Sequence, residues 1–244
     1  MELPQPVFDL FEGENLSGTT VSVIYDTHSS AWKIPLLLLR HAIRTGYFGI
    51  VFNYTGPLQA FMRKANAVGI DVDWSLREHE MAIVDLFGTR YGARNSLPNV
   101  FYLDKVEPDT LNPKIARIYG TYLRRALSER TAFRLIHTLD GTTMLFGEDN
   151  TMKLLNHALA ERSRELPDSV LVLALNSDVV SRKFTAWVVE VSDYVLLAKS
   201  WIKEEGIRET LYFTSAPREN FEPAVYALIP TKSKEKLEIE RISP

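Results

Sequence analysis

A lysine that directly follows a short polar segment is the first feature of the sequence with possible chemistry. Residues 25 to 36 read Y-D-T-H-S-S-A-W-K-I-P-L, and they follow the mostly apolar segment T-T-V-S-V-I. A strand, a polar loop, a lysine and a helix in this order are the layout of a phosphate-binding loop, in which backbone amides and the lysine hold phosphate oxygens. The candidate phosphate-binding residues are therefore Lys33, Thr27, Ser29 and Ser30.

The same loop departs from the phosphate-binding pattern G-x-x-x-x-G-K-[ST]. Thr27 and Trp32 stand in the two glycine positions, so the backbone geometry that turns amides inward is less accessible, and the indole is expected to crowd the phosphate cavity. Ile34 replaces the hydroxyl that ligates Mg²⁺, and Pro35 removes one more N–H from the start of the helix. Lys33 alone does not distinguish a damaged nucleotide site from an ordinary turn.

The segments around this loop alternate between strand-length apolar runs and helix-length amphipathic runs. Continuous apolar runs indicate strands that are buried on both faces, as in a parallel sheet with helices on each side. The predicted strands are 20–25, 49–54, 81–87, 99–103, 133–139 and 169–176. The predicted helices are 35–45, 57–68, 110–130 and 150–165, and 184–191 is a short helix or an extension. In the longest helix, the core-facing residues by helical spacing are Ile115, Ile118, Tyr119, Tyr122 and Ala126.

The C-terminal fifth of the chain has a different pattern. Four strand-like segments, 193–200, 209–215, 223–229 and 237–242, are separated by short polar turns, which predicts antiparallel strands at one edge of the sheet. No internal repeat, low-complexity tract or linker interrupts the sequence. We therefore expect an α/β fold in one domain, residues 1–244.

The composition is typical of a soluble globular protein and narrows the possible functions. The 28 Lys and Arg residues nearly balance the 31 Asp and Glu residues, so the net charge of −3 gives no global attraction to nucleic acid or to an anionic membrane. The chain has no cysteine, which excludes disulfides, cysteine nucleophiles and cysteine-based metal sites. The acidic N-terminal segment is not typical of a signal peptide, and the apolar runs are too short to span a bilayer. We expect a cytoplasmic protein without a membrane or nucleic-acid partner.

Several segments, taken in chain order, resemble the KaiC/RadA-like branch of the RecA-fold ATPases. Besides the strand, loop and helix around Lys33, the matching segments are G-I-V-F-N-Y-T-G-P-L-Q-A-F at 49–61, A-N-A-V-G-I-D-V-D at 65–73, A-I-V-D-L at 82–86, R-L-I-H-T-L-D at 134–140, V-L-V-L-A-L-N-S at 170–177 and V-S-D-Y-V-L-L at 191–197. The resemblance covers nearly the whole chain. It implies a three-layer RecA-like sandwich with a mostly parallel central sheet and antiparallel strands at the C-terminal edge.

The resemblance also assigns the catalytic positions of that family to residues of this chain. The carboxylates after the second strand correspond to Thr55 and Gly56, neither of which can act as a general base. The Walker B aspartate corresponds to His137, a poor partner for hydrated Mg²⁺, and Asp140 lies three residues later, past the expected end of the strand. Because ATP hydrolysis requires the phosphate cradle, the metal and the base together, the resemblance implies degenerate Walker A and Walker B motifs without ATPase activity. Of the phosphate-binding and catalytic positions of the family, only Lys33 persists. The chain resembles small uncharacterised families of such proteins in hyperthermophilic archaea.

The histidines offer a different class of chemistry. None of the five forms an i,i+4 pair on a helix, so ordinary surface or hydrogen-bonded histidines are favoured over a metal site. The resemblance places His28 and His137 at the same sheet edge as Ser29, Ser30 and Asp140. A Ser/His/Asp hydrolase pocket therefore stays open, although the sequence lacks a G-x-S-x-G elbow.

A basic stripe on the longest predicted helix is the remaining candidate for a binding surface. Lys114, Arg117 and Arg124 share approximately one helix face, and we favour a solvated face over a DNA-binding surface.

The leading functional hypothesis is a non-catalytic RecA-like protein that uses no cofactor and acts through protein or peptide contacts, as a possible homodimer. RecA-fold domains commonly assemble with their own copies, and the edge of the antiparallel tail can accept an added strand from a partner. The alternative is a regulatory module that holds a nucleotide or another anion through Lys33 without hydrolysing it. A third hypothesis, an enzyme that uses His28 and His137, requires a geometry that the sequence does not define.

Overall fold

One continuous sheet forms the centre of the protein. The computed structural model describes residue 7 and residues 10–11, 13–204, 206–230 and 237–242. Within these residues the sheet has ten strands, which we number β1 to β10 in chain order. They are Thr20–Tyr25, Phe48–Asn53, Met81–Asp85, Val100–Phe101, Ala132–His137, Val170–Asn176, Tyr194–Lys203, Gly206–Ser215, Ala224–Pro230 and Leu237–Arg241.

Helices connect most of the strands and cover the sheet. Across the described residues we number them α1 to α9: Lys33–Arg44, Leu58–Asn66, Val72–Arg77, Leu86–Tyr91, Pro108–Ile118, Arg124–Glu129, Leu139–Phe146, Glu148–Glu165 and Arg182–Glu190. A 3₁₀ turn, Ser30–Trp32, precedes α1, and a π-helical turn, Tyr119–Leu123, joins α5 to α6.

The strand order separates a parallel part of the sheet from an antiparallel part. The order across the sheet is β10-β9-β8-β7-β1-β6-β5-β2-β3-β4. Strands from β7 to β4 in this order pair in parallel, whereas β8, β9 and β10 continue from β7 as antiparallel neighbours. We call β8 to β10 the antiparallel extension. The predicted arrangement, a mostly parallel sheet with antiparallel strands at the C-terminal edge, is confirmed.

Apolar layers lie on both faces of the parallel part, which makes the fold a three-layer sandwich. On one face, α1 packs with Phe61 of α2 and Leu76 of α3 against β1, β2 and β3. On the other face, α5, α8 and α9 pack against the opposite side chains of the same strands. Central strands such as β1 and β2 are buried along their entire length, because helices cover both of their faces.

The prediction of one continuous helix over residues 110–130 is wrong. The π-helical turn Tyr119–Leu123 interrupts it, and a wider turn rotates the residues that follow it relative to a regular helix. As a result Tyr122, predicted to face the core, is 66% exposed and packs on Phe101, while the neighbouring Leu123 is 2% exposed. The other four predicted core positions of this helix are buried or half-buried.

The basic stripe of the same helix is solvated, as the sequence favours. Arg117 and Arg124 are exposed, and Lys114 forms an ion pair with Asp104 at 2.9 Å. Within the described residues, no helix is both long and apolar enough to cross a membrane. The single domain over residues 1–244 stays a prediction.

Leu123→Ala and Tyr122→Ala test the register that the π-helical turn imposes. We expect Leu123→Ala to lower the free energy of unfolding by about 2–5 kcal/mol, since it removes a buried leucine from the core. Tyr122→Ala removes little more than its ring contact with Phe101, so its loss should be about 1 kcal/mol. Urea denaturation of both variants measures the difference, and a larger loss for Tyr122→Ala would contradict the observed register.

Candidate functional site

The loop after β1 lies where the sequence predicts a phosphate-binding loop. Because β1 is flanked by β6 and β7, the loop emerges near the middle of the sheet, at the carboxyl ends of the parallel strands. Ser29 caps the 3₁₀ turn by accepting a hydrogen bond from the amide of Ala31 at 3.1 Å. Helix α1 then begins at Lys33. The predicted frame of strand, loop and helix is present.

The carboxylate of Glu209 occupies the anion position of this loop. Glu209 belongs to β8, is 7% exposed, and accepts a hydrogen bond from the amide of Ser30 at 2.5 Å. The hydroxyls of Ser29 and Ser30 donate to the same carboxylate oxygen at 2.9 and 3.0 Å. Amides and hydroxyls at a helix start are the groups that hold phosphate oxygens in nucleotide-binding loops. A side chain of the protein itself therefore makes the contacts that the sequence assigns to a phosphate.

The other amides of the loop also have internal acceptors. The amide of Thr27 donates to the carboxylate of Asp178 at 2.9 Å, and this hydrogen bond lowers the pKa of Asp178. The amides of His28 and Ser29 donate to the carboxylate and to the carbonyl oxygen of Asp26, at 3.2 and 3.1 Å. From residue 27 to residue 31, every backbone amide is bonded within the protein, so an incoming anion has to displace an existing bond.

Lys33 is half-exposed beside this loop, as its position at the start of α1 predicts. Its Nζ atom lies 5.9 Å from the centre of the Trp32 ring, and the Nζ atom of Lys64 lies 5.6 Å from the same ring. Trp32 is half-buried and packs against the core. In the part of the chain that the structure describes, no carboxylate forms an ion pair with Lys33. The positive charge of the loop is therefore retained even though its amides are bonded.

The end of β2 carries neutral groups at the positions that the resemblance gives to catalytic carboxylates. The hydroxyl of Thr55 accepts a hydrogen bond from the amide of Thr138 at 2.9 Å, and the two threonine hydroxyls lie 2.7 Å apart. Asp85, at the end of the adjacent β3, binds the side-chain amide of Asn53 and the backbone amide of Gly88, both at 2.9 Å. Asp85 therefore caps α4, and burial raises its pKa.

His137 lies at the end of β5, at the position that the resemblance assigns to the Walker B aspartate, and it is buried. Its ring packs edge-on against Phe61, with centroids 5.2 Å apart. Burial, with a smaller effect from the charge of Lys64, lowers the pKa of His137 to about 4. The Nδ1 atom has no hydrogen-bond partner among the described residues. A neutral imidazole in this apolar contact does not supply the carboxylate oxygen that hydrated Mg²⁺ prefers.

The residues of the alternative hydrolase pocket are not joined to one another. Asp140 lies in the first turn of α7, past the end of β5 as expected, and it accepts a hydrogen bond from the amide of Asn176 at 2.9 Å. Burial raises the pKa of Asp140. His28 is exposed, and the two loop serines donate to Glu209 and not to a histidine. No group of three potential metal ligands occurs in the described residues.

Comparisons with known proteins identify the fold. No protein-family model matches the chain, and no curated protein is significantly similar to it in sequence. The uncharacterized protein PH0321 from Pyrococcus horikoshii, crystallised in complex with an unknown peptide, matches with a TM-score of 0.82 and 21% identity over 98% of each chain. The KaiC-like protein PH0186 from the hyperthermophilic archaeon Pyrococcus horikoshii OT3 matches with a TM-score of 0.64 and 12% identity, over 91% of this chain and 89% of that chain.

The chain has a KaiC-like fold. The resemblance to KaiC-like proteins of hyperthermophilic archaea is thereby confirmed for the fold, together with the RecA-like sandwich that it implies. The candidate residues Thr27, Ser29 and Ser30 lie between β1 and α1 of this KaiC-like fold, and Lys33 is the first residue of α1. Their role in binding an anion stays a prediction.

The sequence did not reveal the two carboxylates that accept hydrogen bonds from the loop. Glu209 and Asp178 come from β8 and from the turn after β6, which lie about 150 to 180 residues further along the chain. In the sequence, Glu209 is one charged residue at the start of a strand-like segment, and nothing distinguishes it from a solvated glutamate. Knowledge that β8 lies next to β7, and therefore near the loop after β1, is required to pair it with Ser30.

The low pKa of His137 predicts a dependence of stability on pH. Because the folded-state pKa of about 4 lies below the ordinary value of 6.5, the unfolded state binds more protons between these two values. The free energy of unfolding should therefore be greatest above about pH 6.5 and should fall as the pH drops towards 4, by about 3 kcal/mol at most.

Urea denaturation of the wild type and of His137→Gln between these pH values isolates this effect. The difference in unfolding free energy between the two proteins should shrink as the pH falls, because only the wild type contains the titrating imidazole. Parallel pH profiles for the two proteins would contradict the assignment.

Proposed function

We propose that this protein is a non-catalytic member of the RecA-like fold that acts by binding a protein or peptide. The observation that carries the proposal is the hydrogen bonding of Glu209 to the amide of Ser30 and to the hydroxyls of Ser29 and Ser30. A carboxylate in this position repels a phosphate group and takes the donors that a phosphate requires.

Two further positions support the absence of ATP hydrolysis. Phosphoryl transfer requires a bound metal and a group that positions or deprotonates the nucleophile, in addition to the phosphate cradle. His137 stands in the metal-binding position with a pKa of about 4, and Thr55 in the position of the base binds Thr138. Each of the three parts of an ATPase site is thus replaced by a group with a different internal role.

The free edge of the antiparallel extension is the surface that we propose for the partner. Within the described residues, β10 is the last strand on this side of the sheet. The amide of Ile242 donates to the carbonyl oxygen of Val225 on β9. In an antiparallel pair, alternate residues direct their backbone groups towards the partner strand and away from it. The N–H and C=O of Ile239 therefore point to the open edge.

An extended peptide is the ligand that such an edge accepts. Its backbone adds a strand to the sheet, and its alternate side chains contact the sheet surface. The PH0321 structure, which has the same fold, was solved with an unknown peptide. This supports a peptide ligand for the present chain. A homodimer through the same edge is a related expectation, which sedimentation velocity measures directly.

Peptide selection tests the proposed edge. A random peptide library panned against the wild-type protein should yield binders that also bind Ile239→Val but lose affinity for Ile239→Pro. Proline removes the outward N–H of residue 239, whereas valine keeps it and alters only the side chain. Selected peptides that bind the proline variant as tightly as the wild type would contradict pairing at β10, and a selection without binders would contradict the peptide ligand itself.

The second candidate function, a nucleotide- or anion-binding module, is favoured by one observation. Lys33 has no ion pair among the described residues and lies with Lys64 beside Trp32, so two positive charges remain near the loop. Competition between Glu209 and the anion for the amide of Ser30 opposes this function.

Calorimetry and turnover assays separate the two functions. We expect the wild type to give no saturable heat with millimolar ATP, ADP or phosphate and no hydrolysis of ATP in the presence of Mg²⁺. Glu209→Gln, which keeps the side-chain shape but removes the negative charge, should bind phosphate more tightly than the wild type. Saturable binding by the wild type that Lys33→Ala abolishes would support the second function, and ATP turnover that Lys33→Ala abolishes would overturn the non-catalytic assignment.

A further inference from the structure

A cavity on the opposite side of the sheet from α1 has a buried positive charge at its inner wall. It lies between the sheet and helices α5, α7 and α8, and its polar lining includes Tyr54, Tyr119, Arg134 and Thr142. The space that the centres of water molecules can occupy in it is about 50 Å³. A single water molecule needs roughly 10–15 Å³ by this measure. The cavity therefore has room for about three or four water molecules, or for a small organic group.

Arg134 is the residue that gives this cavity its chemistry. It lies in the middle of β5 and is 6% exposed, and it is the one fully buried lysine or arginine in the part of the chain that the structure describes. The described residues provide no carboxylate within ion-pair distance of it. Its Nε atom is buried without a hydrogen-bond partner, and its guanidinium lies 5.8 Å from the centre of the Tyr119 ring.

An unpaired buried arginine is unusual for a physical reason. Transfer of a charge out of water is unfavourable unless a partner of opposite charge or a full set of hydrogen bonds replaces the water. A ring face at this distance compensates only part of the loss. An anion in the cavity supplies the missing partner, because the guanidinium can donate two parallel hydrogen bonds to a planar carboxylate.

Two further polar side chains of the cavity lie near Arg134. The Oγ1 atom of Thr142 is buried without a hydrogen bond within the described residues. The hydroxyl of Tyr119 interacts with Arg134, which offsets part of the rise in its pKa. Burial raises the pKa of Tyr119 and of Tyr54, so both phenols remain protonated at neutral pH and can donate. A ligand carboxylate near Arg134 would thus find hydroxyl donors in the same cavity.

The rest of the lining restricts the kind of anion. Phe52, Ile136 and Leu154 form apolar walls, which favour a ligand with a hydrocarbon portion. Glu161 and Glu165 also belong to the lining, and neither forms an ion pair with an arginine of the described chain. Two glutamates disfavour a doubly charged anion such as phosphate.

Arg162 is already engaged and leaves Arg134 as the anion partner. Its guanidinium donates to the carbonyl oxygen of Thr19 at 2.9 Å and to the hydroxyl of Thr20 at 3.0 Å. These bonds hold Arg162 against the start of β1. Arg162 is thus held through its Nη1 atom and is less buried than Arg134, so Arg134 is the stronger candidate for the anion.

We propose that this cavity is a binding site for a small monocarboxylate with a short hydrocarbon tail. The carboxylate pairs with Arg134 and accepts from the hydroxyls of Tyr119 and Thr142, while the tail contacts the apolar walls. The site is separate from the loop after β1 and from the β10 edge, so it does not depend on the function proposed for either.

Titration with a series of small ligands tests the site. Acetate, propionate, isobutyrate, isobutyramide and phosphate are added to the full-length protein at neutral pH, and calorimetry and chemical-shift changes are followed. Affinity should rise from acetate to isobutyrate by roughly threefold to fourfold for each carbon that is buried. Isobutyramide, which has the same shape without the charge, and phosphate should not bind saturably.

Arg134→Met and Arg117→Met are the matched arginine variants. Arg134→Met should lower the affinity for isobutyrate by about tenfold or more, because a charge-assisted hydrogen-bond pair is lost. Arg117 is exposed on α5, outside the cavity, so Arg117→Met should leave the affinity unchanged. If Arg134→Met does not fold, Thr142→Val replaces it in the test. This variant preserves the size of the side chain and removes its hydroxyl, and it should still lower the affinity for isobutyrate several-fold.

Three results with the carboxylates and the variant would each overturn the proposal. They are the absence of saturation by any carboxylate up to tens of millimolar, equal binding of isobutyramide and isobutyrate, and equal affinity in wild type and Arg134→Met. Binding of phosphate as tightly as isobutyrate would also overturn it, since a simple anion hole without apolar selection behaves in that way.

Discussion

The hydrogen bonds of Glu209 to the loop after β1 join the two parts of the sheet. Glu209 lies on β8, one strand beyond β7, whereas the loop belongs to the centre of the parallel strands. A second connection has its carboxylate in the loop and its donors on a strand. Asp26 in the loop accepts hydrogen bonds from the amide and the hydroxyl of Ser200 on β7. The loop is therefore attached to β7 and to β8, the first strand of the antiparallel extension. A segment that holds a phosphate in nucleotide-binding proteins is here an internal connection.

Glu209 and Arg134 are both buried charged residues, and they differ in how fully hydrogen bonds compensate their charge. Glu209 receives three donors from two adjacent residues, so its removal from water is compensated within the chain. Arg134, on the other face of the sheet, has an unbonded Nε atom and an aromatic ring as its neighbour. The position that the sequence resemblance assigns to a phosphate is thus saturated with internal hydrogen bonds, while an unsaturated position lies beneath α5 and α8.

Much of the fold could be predicted from local sequence patterns, because buried parallel strands and amphipathic helices leave clear signals. Segment 20–25 was predicted with the bounds that β1 has, and segment 99–103 was predicted as a strand where β4 lies. Helices α3, α4 and α7 were not predicted, since they are short and their apolar residues do not repeat over enough turns. The π-helical turn Tyr119–Leu123 was missed although it contains Gly120, because a single glycine inside a helical pattern is tolerated and does not by itself indicate a change of helical pitch.

The site was less predictable than the fold, for a topological reason. Lys33 and the loop serines belong to one short segment, and their location follows from β1 and α1 alone. The partners that fix their chemistry, Glu209 and Asp178, are brought to the loop by strand order, which local patterns do not encode. The lone charge of Arg134 within β5 was visible in the sequence, but its lack of a carboxylate partner is a property of the packed helices above it.

The network around the loop also limits how this protein can be re-engineered or can diverge. Glycine substitutions at Thr27 and Trp32 would relax the backbone, yet the amide of Thr27 would still bind Asp178 and that of Ser30 would still bind Glu209. Two unit charges of the same sign about 4 Å apart repel by roughly 4 kcal/mol near a protein surface. Removal of the internal acceptors of the loop therefore requires changes at Asp178 and Glu209, in segments that lie far from the loop in the chain.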